Sequence, residues 1–261
     1  MVANIYFDDM NLEILARESA LEESIINQEI VSNMNIYEEM VMFESGDEAD
    51  SKKEGILQRI GKSISNLIQS IIDYVSRFFK TISANTGEKL SVSDYMDAES
   101  TQIKFQSDIK KIYEECEKEF FEAHKFLSFF HRKTGVPPKK LNEWSDRLNN
   151  FAIEHGTTVI TAAASVIIGN KIHQTLSNNN EALQKAKAEN ERLIKEADQL
   201  KSEELKEDGH LILSQMNTVI SGMSTITRRL TSVYSSIVGN LNKYKVTYRD
   251  KKAKKEKKAK E

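Results

Sequence analysis

The chain has 261 residues, 30% of them charged and 39% hydrophobic, with only 2 prolines and 10 glycines and a formal net charge of -3. So few turn-forming residues leave little room for a strand-rich fold, and no segment sustains strand-like alternation, so the expected class is all-α. The lone cysteine, Cys116, excludes an internal disulfide framework and any cysteine-built zinc site, which suits a reducing compartment.

The opening MVANIYFDDMNLEILARE lacks the basic and apolar segments of a secretory signal and the arginine-rich character of a transit peptide. Residence in a cytoplasm is therefore expected. Asp8 or Asp9 can cap a first helix, and Leu12, Leu15, Leu21, Ile25, Ile26, Ile30, Met34, Tyr37 and Val41 continue a helical stripe to about Phe43. Up to Asp50 every charged residue except Arg17 is acidic, so 1–44 reads as an acidic helical leader. The run 45–54 has no large apolar residue and flips from acid to base, which marks a linker. A cut near Glu44 would release the leader; a plain surface loop is the simpler reading.

From Gly55 to Ile82, apolar residues return every three or four positions, among them Ile60, Ile64, Leu67, Ile68, Ile71, Val75, Phe78 and Phe79. Arg59, Lys62, Asn66, Gln69, Asp73, Arg77 and Lys80 occupy the other side, so this is an amphipathic helix whose greasy face must be covered by protein or by lipid. Gly61-Lys62-Ser63 resembles the close of a phosphate-binding loop, but Gly55 lies one residue too far upstream and no strand precedes it. A connector over Ser83 to Ser93, with Gly87 as its break, leads to a helix from Ser93 or Asp94 to His131. That helix gathers Phe105, Ile109, Ile112, Tyr113, Cys116, Phe120, Phe126, Leu127 and Phe130 on one face. His124 and His131 share a side but stand about 10 Å apart along the axis, too far for one metal without other ligands.

Thr134-Gly135-Val136-Pro137-Pro138 is the sharpest break. A helix from Pro138 or Lys139 carries Leu141, Trp144, Leu148 and Phe151 into an uncharged, small-residue run from Gly156 to Asn170. It reads as a centrally buried helix, with a membrane-inserted hairpin formed with 55–82 as the alternative. Beyond Asn178, sparse leucines (Leu183, Leu193, Leu200, Leu205) among many Glu and Lys predict an extended, solvent-exposed arm to 208. In the helix over 209–248, Met216, Val219, Met223, Ile226, Leu230, Val233 and Ile237 step by three and four, the seam of a coiled-coil-like hairpin and a candidate self-association surface. A disordered basic tail, 249–261, closes the chain. Its Lys251, Lys252, Lys254, Lys255, Lys257, Lys258 and Lys260 are the candidate contacts to nucleic acid or another polyanion, with solvation of a soluble end as the bland reading.

The segments therefore fall at 1–44, 45–54, 55–133, 134–208, 209–248 and 249–261, arranged as an elongated helical bundle. No G-x-S-x-G elbow, H-E-x-x-H pair or glycine-rich dinucleotide loop is present, and Cys116 sits inside an apolar face, so no catalytic residue, cofactor or metal is expected.

The acidic leader, the Lys52-Lys53-Glu54-Gly55 junction, the Ile-rich helix ending in Phe78-Phe79, the small-residue run and the lysine-rich end together resemble the small helical virion proteins of large tailed bacteriophages. The likeness is of layout. It implies a non-enzymatic structural or internal particle component, found in host cytoplasm and virion, whose partners are copies of itself, other virion proteins and DNA. The alternative is a membrane-active protein whose 55–82 helix, with 156–170, lies at an anionic lipid surface.

Overall fold

A computed structural model describes residues 50–86, 89–95, 97–132, 134–149, 156–199 and 203–245. The acidic leader 1–44, the Glu44 cut and the basic tail 249–261 lie outside the described residues. Helix α1 (Asp50–Thr86) begins inside the predicted linker and runs past Ile82. A 3₁₀ turn (Val92–Asp94), strand β1 (Gln102–Phe105), helices α2 (Ile109–His131) and α3 (Pro138–Asn149), strand β2 (Thr158–Thr161) and helices α4 (Ala162–Gln199) and α5 (Glu203–Asn242) follow.

The described chain is mostly α, as expected, with one short two-stranded sheet. Strands β1 and β2 pair antiparallel, with Gln102 opposite Thr161 and Phe105 opposite Thr158. In β1 the side chains alternate outward and inward, and Ile103 and Phe105 are buried. The predicted helix from Ser93 or Asp94 therefore starts only at Ile109, where the Asp108 carboxylate accepts the Lys111 amide at 3.1 Å and caps the first turn. Before β1 the chain turns at Asp97, whose φ of 42° is left-handed and tolerable for a short polar residue.

The small-residue run divides for a similar reason. Thr158, Val159, Ile160 and Thr161 are β-branched and form β2, while the alanines that follow begin α4. Thr161 Oγ1 accepts the Ala164 amide at 3.1 Å, and the carbonyls of Thr101 and Ala98 accept the amides of Ala162 and Ala163. The 97–101 turn thus satisfies donors that the first turn of a helix otherwise leaves open.

Helix α5 touches α1, α2, α3 and α4, and α1 lies along α4 and α5. Early α4 meets late α5, since Gly169 faces Ile237 and Asn179 binds Thr227, so these two helices run antiparallel. The helix starts before Gly209 and passes through it, which moves the expected boundary at 208/209 into a continuous element. The predicted solvent-exposed arm is also corrected over its described part, up to 195: Asn179, Leu183, Ala186 and Asn190 of α4 are buried. They step by four, three and four, so a buried stripe continues through the polar composition, with alanine and asparagine in place of leucine.

Candidate functional site

All the candidate face residues of α1 except the half-buried Phe79 are buried. What covers them is protein, namely α4 and α5. The seven seam residues from Met216 to Ile237 are likewise buried within the chain, so that surface is filled by neighbouring helices and is not open to a second copy. The seven tail lysines lie outside the described residues. No described helix is long and apolar enough to cross a membrane.

Polar side chains enter this interior as clamps between elements. Asn170 of α4 holds the backbone of Leu90 with both ends of its amide, accepting from the Leu90 N–H at 3.2 Å and donating to its carbonyl at 2.9 Å. Gln215 of α5 does the same to Val136, at 2.7 and 2.8 Å, and fixes the turn between α2 and α3. Asn190 donates to the Gly61 carbonyl at 2.6 Å and to Ser65 Oγ at 2.9 Å, tying α4 to α1. Tyr74 and Thr231 share a hydroxyl bond of 2.8 Å between α1 and α5. Buried Glu119 of α2 takes a two-pronged contact from Arg147 of α3 at 3.1 and 3.0 Å, which raises the affinity of the guanidinium for its proton.

Sequence reasoning missed these clamps. The available signal was a polar residue standing in the period of an apolar stripe, as Asn179 and Asn190 do among Leu183 and Ala186.

Among the described residues there is a groove of about 800 Å³ between α2 and α4, also lined by Met216 of α5. His124, Leu127 and His131 line one wall; Ala182, Lys185 and Glu189 stand on the other. At one end, Glu189 pairs with Arg192, and His131 Nδ1 lies 3.5 Å from Glu189 Oε2 with its imidazole largely in water. At the other, burial pushes the His124 imidazole below its ordinary range and favours the neutral ring. Asn179 partly offsets this, although neither His124 Nε2 nor Asn179 Oδ1 has a hydrogen bond of good geometry.

The two histidines are thus held apart in different environments. Ser128, between them, donates its proton to the Lys125 carbonyl at 2.6 Å. Among the described residues no three His, Cys, Asp or Glu side chains gather where a metal ion could be held. Cys116 has no exposed surface, and burial pushes its thiol up to about 12, which keeps it protonated. Tyr95, Tyr113 and Tyr234 are pushed to about 12 chiefly by the same cause. These groups pack in the interior, and the Tyr113 hydroxyl donates to Glu117 Oε1.

Gly61, the residue behind the resemblance to a phosphate loop, lies within α1. A Cβ there would fall 2.2 Å from Ile194 Cδ1, so the glycine is a socket for α4. No family model matches the chain, and neither does any curated protein or solved structure.

Proposed function

We propose that this chain is a structural, interacting protein without a reaction of its own. It is an elongated helical bundle that serves as a component of a larger particle, with the lysines from Lys251 to Lys260 touching nucleic acid or an acidic partner. The observation that carries the proposal is the use of the interior polar groups. Asn170, Gln215, Asn190, Tyr74 and Glu119 each join one element to another. Catalysis would call for groups converging on one reacting centre. The clamps instead favour a rigid body whose outer surfaces meet partners. Because the seam from Met216 to Ile237 is internal, contacts with copies or with other particle proteins fall on those outer surfaces. The likeness in layout to virion proteins of large tailed bacteriophages supplies the setting.

Two measurements test this reading. Mass spectrometry of purified particles places the protein and reads its true N-terminus; absence from particles removes the virion assignment. In the full chain, changing Lys251, Lys252, Lys254, Lys255, Lys257, Lys258 and Lys260 to Gln weakens sequence-indifferent DNA retention and lowers its salt dependence. Unchanged retention refutes the role of the tail.

A further inference from the structure

We infer that the outer face of α1 is a second contact surface for the backbone of duplex nucleic acid. The inference extends the proposed polyanion contact, but a different part of the molecule carries it.

The apolar side of α1 faces α4 and α5, so what the helix shows to solvent is polar. Among the residues of α1 whose burial is described, 58–82, the exposed charged ones are Arg59, Lys62, Arg77 and Lys80 against Asp73, four positive and one negative, or net +3. The whole chain is formally -3, so this face departs in sign from the molecule that carries it. Asp73 accepts a hydrogen bond from Gln69 at 2.8 Å. At 1.5 Å per residue the four cations span about 31 Å, as two pairs each one turn of helix long.

Two pairs of cations on one side of a helix, about 22 Å apart, match a partner whose negative charge repeats over the same length. Duplex DNA offers one phosphate charge about every 1.7 Å along its axis. Lipid fits less well, because a helix lying at a membrane surface sinks an apolar face among the acyl chains, and here that face is enclosed by the protein. Contact made only by Arg and Lys with phosphates fixes position and reads no sequence.

The test is duplex retention by the full chain across a salt series, comparing wild type, the tail variant described above, and a face variant carrying Arg59→Gln, Lys62→Gln, Arg77→Gln and Lys80→Gln. Glutamine keeps a good helix propensity, so α1 should survive, and circular dichroism checks that it does. The face variant is expected to bind at least about tenfold more weakly at low salt, with the logarithmic salt slope reduced by about two to four. The two half variants, one for each pair of cations, each show part of that loss and stand in if the fourfold variant does not fold. Loss in the tail variant alone overturns this inference and leaves the tail reading standing; loss in the face variant alone does the reverse. No retention by wild type overturns both. If wild type floats with phosphatidylserine vesicles through these four residues while duplex retention is unmoved by their loss, the face belongs to lipid and the inference falls.

Discussion

Trp144 fits against α5 because Gly222 has no side chain. A Cβ at Gly222 would stand 2.1 Å from Trp144 Cη2 and 2.7 Å from Leu148 Cδ1. In an isolated helix Gly→Ala gains about 1 kcal/mol, whereas overpacking a filled core costs about 1–3 kcal/mol or more. The net is a loss of up to about 2 kcal/mol, so Gly222→Ala should fail to stabilise and should lower unfolding stability in urea, against the sign of helix propensity. In a Trp144→Leu background the same change should cost much less, and an equal cost in both backgrounds would disprove the socket. His124 gives the second prediction at this scale. Its folded imidazole binds a proton less readily than the unfolded one, so the unfolded chain takes up the proton first as pH falls. The neutral ring's contribution is present above about pH 6.5 and is lost as pH drops through the lower folded value. Charged groups across the groove are Glu181, Lys185, Glu189 and Arg192, with His131 on the same helix. Urea midpoints from pH 7.5 down to 5 should fall more steeply for wild type than for His124→Gln; parallel curves would sink the assignment.

At the level of elements, two side-chain amides replace the backbone partner that a connector would find in a sheet. Asn170→Ala removes both bonds to Leu90 and should cost about 1–2 kcal/mol, with faster hydrogen exchange at the Leu90 amide. Exchange there at the wild-type rate would show that the clamp does not hold the connector. The helices themselves were legible from period: α1, α2, α3 and α5 follow stripes that can be counted in the sequence. The strands were not. Ile103 and Phe105 alternate over only four residues, and Phe105 also falls in step with Ile109, so a short strand reads as an early turn of helix. The polar half of α4 was misread because its buried positions hold Ala186 and Asn190, residues that hydrophobicity does not flag.

For the molecule as a whole, α5 meets each of the four other described α-helices, so damage to its middle is felt everywhere. Ile226 is fully buried, and Ile226→Asp would place an unpaired charge among α5's neighbours. Loss of at least about 4 kcal/mol is expected, seen as failure to give a cooperative unfolding transition; a variant that unfolds like wild type would contradict the central place of α5. With α1's apolar face enclosed, the intact protein should also stay unbound in flotation with zwitterionic vesicles, and co-flotation would mean that α1 can leave its seat. Local pattern is enough to make the described chain mostly helical and to choose which side of each strongly periodic helix turns away from water, because those properties follow from neighbours three and four positions apart. What covers those sides is settled by the fold. It put α4 and α5 over the face that could have met lipid, and it closed the seam that could have met a second copy, because both covers come from helices far away in the chain and no local pattern records which distant surface will arrive.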